Sequence, residues 1–379
     1  MILRNSLFRP CAMLLAAFLL AGSLFVARAQ TAGGPLTSQE LVRLVYQLPS
    51  HPEKRDEIIE EIRKRGINFP LTDGLRSVVA SKSGNDALLR RTLEEAERRR
   101  LNPTVTVMPS EAEAEDILAR ARVATLAAVK DMPDFVVRQL ITRYQARGTT
   151  QNWTTLDRLT VAVSYRESIG GEQYKLLAVN GLPEAADESG SYRQAGGSTT
   201  TGEFASLMRK LFEEESQTVF KAAGADTLRG RRAIIYNFEI KKGLADQTIT
   251  YGDVSRVKTG LRGMVWIDRE NFRVLRTEMT FTEIDPDFPV KKLEKKIDYD
   301  WVTIADKRYL LPIEAEAIFT AEVPVTYFDP RREMRVTELQ TFQNRNLIRF
   351  RSYQKFGTEV KIIEDIDEFE DEKEPSKKP

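Results

Sequence analysis

The sequence predicts an α+β protein in which one large antiparallel sheet is covered by helices and preceded by a small all-α segment. Three observations carry this reading. Apolar and polar side chains alternate through residues 260–319 more regularly than anywhere else in the chain, the period of strands whose successive side chains point to opposite faces. The period is helical from 36 to 100. A single amphipathic stripe, Phe204, Leu207, Met208, Leu211 and Phe212, then stands among strand-like runs at i, i+3, i+4, i+7 and i+8, which predicts one helix laid on the sheet.

Within 260–319 the parity is explicit. Leu275, Met279 and Phe281 share one side of a pleat with Thr277, and Arg276, Glu278 and Thr280 share the other. Leu293, Ile297, Tyr299 and Trp301 oppose Lys292, Glu294, Lys296, Asp298 and Asp300. Tyr309, Leu311, Ile313, Ala315, Ala317 and Phe319 oppose Glu314 and Glu316, with Pro312 marking an edge or a bulge where no ladder donor is needed. The expectation is one buried face and one face in water. Further strand-like runs lie at 135–144, 156–165, 173–180 and 334–356, and Ile234, Tyr236, Phe238 and Ile240 make another; the runs total about a dozen by the period-2 criterion.

In chain order, residues 1–29 read as a secretory signal peptide. Arg4 and Arg9 precede an apolar run over 13–26, and Ala27-Arg28-Ala29 supplies the small-x-small cleavage pattern. Residues 36–100 form a small helical domain. Thr37 with Glu40 and Ser50 with Glu53 have the spacing of capping boxes, and Gly66 suits a left-handed helix end. Residues 101–109 hold two prolines and read as a linker. The β domain spans 110–363, entered by a helix that Ser110 and Glu113 cap and that carries the stripe Ile117, Leu118, Ala121 and Thr125. Its 181–202 stretch is a Gly/Ser/Thr-rich loop, and Thr200 and Glu203 have capping-box spacing for the amphipathic helix. The 364–379 tail is charged and predicted to be disordered.

Composition closes many routes. The 379 residues include one histidine, His51, and one cysteine, Cys11 inside the leader. Histidine triads, multi-histidine metal sites and thiol nucleophiles are therefore excluded, and no cofactor or metal is implied. Lys and Arg number 57 against 56 Asp and Glu, a balance that does not favour nucleic acid. Once the leader is removed, no permanent membrane span is expected. The 196–202 glycine- and threonine-rich run lacks the ending of a phosphate loop and reads as a loop before a cap. Asp285-Pro286-Asp287 reads as a turn between strands. The chain is expected not to be an enzyme.

The strand-turn-strand run Gly263 to Arg276, with its G-x-x-W-I-D and R-V-L-R segments, and the Tyr309-Leu310-Leu311-Pro312 of the next hairpin, resemble the lipoprotein-carrier superfamily of LolA- and LolB-like proteins. The resemblance covers about 110–363. It implies an incompletely closed, curved antiparallel barrel whose apolar face is lidded by helices and holds acyl chains, in a periplasmic or secreted protein. On that reading Tyr236, Phe238, Leu275, Met279, Phe281, Ile297, Tyr299, Trp301 and Leu311 are candidate lining residues, and Phe204, Leu207, Met208, Leu211 and Phe212 form the lid. The partners are then a lipid or an acylated protein. The alternative is an envelope scaffold whose helical domain docks a protein and whose sheet merely packs on helices.

Overall fold

The structure is a computed structural model and describes residues 34–104, 107–169, 171–183, 202–251 and 255–357. The leader, most of the 181–202 loop with Thr200, and the 364–379 tail lie outside the described residues.

Four helices come first, α1 (Ser38–Val45), α2 (Arg55–Arg65), α3 (Asp73–Lys82) and α4 (Ala87–Leu101). The capping box at α1 forms in full, with the Thr37 hydroxyl accepting from the Glu40 amide at 3.2 Å and Glu40 accepting from the Thr37 amide at 2.8 Å. The box expected at Ser50 and Glu53 does not form. A short 3₁₀ turn over Pro52–Lys54 intervenes, the Glu53 carboxylate lies 3.0 Å from His51 Nδ1, and α2 begins only at Arg55. Pro52 starts this tight turn without needing an amide partner, which moves the helix start downstream. Leu36, Leu41, Ile59, Ile62, Leu89 and Leu93 close a core that belongs to these helices alone.

Helix α5 (Glu111–Lys130) leads into the sheet. The Ser110 hydroxyl accepts from the Glu113 amide at 3.2 Å, but the Glu113 carboxylate turns away from the cap and accepts from Arg269 Nε at 2.8 Å. Eleven longer strands follow, β1 (Phe135–Arg147), β2 (Thr154–Arg166), β3 (Gly171–Val179), β5 (Val219–Leu228), β6 (Arg231–Ile240), β7 (Gln247–Tyr251), β8 (Ser255–Asp268), β9 (Val274–Thr282), β10 (Val290–Ile304), β11 (Lys307–Asp329) and β12 (Met334–Lys355). The short β4 (Leu182–Pro183) and helix α6 (Ala205–Phe212) sit between β3 and β5. The strands make one 12-stranded antiparallel sheet in the order β4-β3-β2-β1-β12-β11-β10-β9-β8-β6-β5, with β7 paired to β8. β4 and β5 are its two ends, so the sheet is open and does not close as a barrel.

One sheet face is apolar. Ile117 and Ala121 of α5 and Leu207, Leu211 and Phe212 of α6 join it in a single core cluster, and the Tyr236 hydroxyl donates to the Ala114 carbonyl at 2.7 Å. The other face carries the alternating charges, and here the expectation of a face in water fails. Glu278, Asp298 and Glu316 are 6%, 5% and 5% exposed, because α2 and α4 lie over them. Period-2 alternation states that two faces differ in polarity, and a charged face is buried when each charge finds a partner.

Two irregularities shift side chains between the faces. The β8/β9 ladder changes register between Trp266 and Ile267, and Leu275 then joins Ile235, Met264 and Trp266 on the charged face, apart from Met279 and Phe281. The β10/β11 ladder shifts between Asp298 and Tyr299, opposite Pro312. Beyond it Val302 and Ile304 reach the apolar cluster, whereas Trp301 is half-buried with the Arg308 guanidinium 5.4 Å from its ring. The extra residue is Leu275 itself at the first shift and Ile313 of β11 at the second.

Candidate functional site

Beneath the start of α6 the apolar face holds a polar island. Lys295 stands in the β10 row between Leu293 and Ile297, and its cross-strand neighbours are Met279 and Ala317. Its ammonium lies 2.6 Å from the carboxylate of Glu203, a residue with no exposed surface just before α6. The Tyr174 hydroxyl of β3 is 3.1 Å from the second Glu203 oxygen and donates to Glu172 at 2.5 Å. The Gly202 amide donates to the Tyr174 hydroxyl at 2.9 Å, and the Ser206 hydroxyl donates to Glu172 at 3.3 Å. The chain entering α6 is thus held on β3 and β10 by charged and hydroxyl groups, and the helix itself by hydrophobic contact.

Electrostatics inside this island follow from its burial. The Glu172 carboxyl is raised above the usual carboxylate range by burial and then by the neighbouring Glu203 charge. Tyr174 is pushed well above the usual phenol range by burial and by both glutamates. Tyr299, 2% exposed, is raised by burial and also feels the Glu203 and Glu172 charges. Its hydroxyl has the Thr277 hydroxyl nearby but makes no well-formed hydrogen bond.

Of the nine candidate lining residues, Tyr236, Phe238, Met279, Phe281, Ile297, Tyr299 and Leu311 share the apolar cluster with all five lid residues, while Leu275 and Trp301 do not. The face is filled by α5 and α6. Phe204 meets Phe135 edge-on at 5.4 Å and Phe350 at 5.3 Å, and Phe212 stacks on Phe220 at 5.5 Å. Alternation alone missed Lys295, although a cation in the row Leu293, Ile297, Tyr299 is a visible anomaly in the sequence. It also gave Glu203 a capping role. In the structure Phe204 is the N-cap, without a side-chain cap bond, and Glu203 is committed to Lys295.

The opposite face is built from ion pairs. Arg55 Nη1 lies 2.9 Å from Asp86 and its Nη2 2.6 Å from Glu294. Arg91 bridges Glu278 at 3.2 Å and Glu316 at 2.5 Å, and Arg276 bridges Asp298 at 2.8 Å and Glu95 at 3.4 Å. Burial alone would raise Glu294, but the Arg55 charge outweighs it and holds the carboxyl below its usual range. Glu95 is the exception. Burial, with Glu278 and Asp226 nearby, pushes it up to about 7 despite Arg276. A crevice of about 70 Å³ between α4 and the sheet is lined by charged residues, Arg91, Glu278 and Glu316 among them, together with Leu88, Met264 and Ile318.

The motifs behind the resemblance have structural duties. A Cβ on Gly263 would fall 2.0 Å from the Glu278 carbonyl, so β8 approaches β9 only with glycine there. The indole of Trp266 donates to Asp226 at 3.2 Å, and Asp268 accepts from the Glu270 and Asn271 amides in the turn beyond β8. No family model matches the chain, and no curated protein sequence matches it. Two solved structures are similar to it. A DUF1329 family protein from Desulfovibrio piger is 14% identical with a TM-score of 0.31, covering 64% of this chain and 95% of its own. A LolA superfamily protein from Nitrosomonas europaea is 13% identical with a TM-score of 0.25, covering 63% of this chain and 92% of its own. At these identities and TM-scores no residue role or ligand transfers to this chain. Among the described residues no helix is long and apolar enough to cross a membrane, and no group of acidic, histidine or cysteine side chains is arranged to hold a metal.

Proposed function

We propose that this chain is a non-catalytic, exported binding protein of the cell envelope that shelters a lipid or an acylated protein on its apolar sheet face, with α6 as the cover and residues 1–29 as the export signal. The observation that carries the reading is the Lys295–Glu203 pair, a buried ion pair set in an otherwise apolar row beneath a helix of 8 residues. A buried pair contributes little net stability compared with apolar packing, so a simple core has no need of it. Magnitudes also favour an exchange. Five apolar side chains of α6 contribute roughly 7–15 kcal/mol of burial at about 1.5–3 kcal/mol each. A chain of ~16 carbons contributes on the order of 12 kcal/mol, which is comparable. Native mass spectrometry after gentle extraction is expected to show acyl mass on the protein. A protein repeatedly free of lipid and indifferent to added acyl chains would sink the proposal.

A second reading, an envelope scaffold, is favoured by the filling of the same face, where Ile297, Leu311 and Phe212 are at most 1% exposed. On this reading α1–α4 dock a protein partner, and removing residues 36–100 changes what co-purifies with the chain. An unchanged set of partners would remove its basis.

A further inference from the structure

We infer that Gln139 is the hydrogen-bonding point for a hydroxyl group on the sheltered lipid, so that the ligand is a hydroxylated acyl lipid and not a plain alkyl chain. This rests on the acyl-binding reading above and narrows its ligand. Gln139 stands in the β1 row between Val137 and Ile141, with Val161 of β2 and Phe350 of β12 as its cross-strand neighbours. All four belong to the apolar cluster, and Gln139 itself has no exposed surface. Among the described residues neither its amide oxygen nor its amide nitrogen has a hydrogen-bond partner. Elsewhere on this face Arg143 pairs with Asp157, Lys295 with Glu203, and the Tyr236 hydroxyl with the Ala114 carbonyl.

A buried amide unpaired at both atoms carries a cost that an apolar side chain in the same row avoids, so filling the face does not account for it. The cover over this part of the sheet is the residue that opens α6. Phe204 meets Phe350 edge-on at 5.3 Å and Phe135, at the start of β1, at 5.4 Å. A benzyl side chain has no hydrogen-bonding group to offer the amide, and an alkyl chain in its place has none either, so both covered states carry the same cost. An ester or a carboxylate only accepts and leaves Oε1 unpaired, and a trans secondary amide holds its N–H and C=O on opposite sides and reaches one of the two atoms. A hydroxyl donates to Oε1 and accepts from Nε2 with a single oxygen, and it brings no charge into the cluster.

The test is titration calorimetry of stearate, 12-hydroxystearate and octadecanol on the full chain and on Gln139→Met, whose side chain keeps the length of glutamine without its amide. Circular dichroism checks that the variant folds. Ligand-free Gln139→Met is expected to melt about 2 °C above the parent; an unchanged or lower melting temperature means that the amide is already satisfied and overturns the inference. The parent is expected to bind 12-hydroxystearate about tenfold tighter than stearate, although the hydroxyl makes it the less apolar of the two, and Gln139→Met is expected to lose that preference. Should octadecanol, and not 12-hydroxystearate, carry the gain over stearate and Gln139→Met remove it, the inference holds with the hydroxyl at the end of the chain. No gain for either hydroxyl compound in the parent, or a gain that survives in Gln139→Met, overturns the hydroxyl site while acyl binding stands. If no probe binds either protein, the acyl-binding reading itself falls, and this inference with it.

Discussion

The two faces of this sheet are covered by helices in opposite ways. On the apolar face α5 and α6 meet the strands through aliphatic and aromatic contact, with the Lys295–Glu203 pair at the entry to α6. On the charged face α2 and α4 meet the same strands through arginines: Arg55 and Arg276 are each shared between a carboxylate beside or within α4 and one of the sheet, and Arg91 of α4 is shared between two sheet carboxylates. Apolar contact is non-directional, so a cover held by it can be replaced by any apolar chain of similar area. Ion pairs fix position and are costly to break one partner at a time. On the proposed function the contrast would make the apolar face the exchangeable one and the charged face the permanent joint.

That contrast can be broken from the charged side first. Arg91→Ala leaves Glu278 and Glu316 buried without their shared partner, and is expected to destabilise the protein by about 3–5 kcal/mol in urea unfolding. On the apolar side, Leu211→Ala is expected to cost about 2–4 kcal/mol through the void it leaves, with no dependence on pH. A loss with Arg91→Ala no larger than that of an exposed substitution would refute the permanent joint.

A finer test uses the one carboxyl on the charged face that is held high. Because Glu95 is raised from 4.5 to about 7, the folded chain binds its proton more tightly than the unfolded chain does. Its contribution is therefore intact below pH 4.5 and lost as pH rises through about 7. Glu95→Gln is expected to stabilise the protein by roughly 1–3 kcal/mol at pH 8 and to change little below pH 4.5, read from melts across pH. Glu294, Asp298 and Glu316 are held low by arginines, so their share runs the other way and is lost as pH falls through their depressed range. The smallest effect expected is Thr37→Ala, which removes the cap of α1 away from both faces. It should cost about 1 kcal/mol and leave ligand titrations unchanged.

Local signals in the sequence identify most elements and fewer of their contacts. The capping oxygen of Thr37, the stripe of α6 and the alternation of β10 act over a few residues and can be read directly. Ser50 failed as a cap because Pro52 imposed its own turn. Leu275 changed sides because it is the extra residue at a register shift, and parity holds only while every residue has one partner. Lys295 was visible as an anomaly, but its partner Glu203 is far away in the chain, and local spacing suggested a cap instead.

The sequence by itself determined an antiparallel sheet with two faces of different polarity and the helix that covers the apolar one, since periodicity is a local sum. Tertiary structure alone decided that the charged face is dry, that Arg55, Arg91 and Arg276 join helices to strands, and that Glu203 meets Lys295. The physical reason is that an ion pair has no period. It depends on two side chains brought within a few ångströms by the rest of the fold, and nothing in the spacing of either one announces the other.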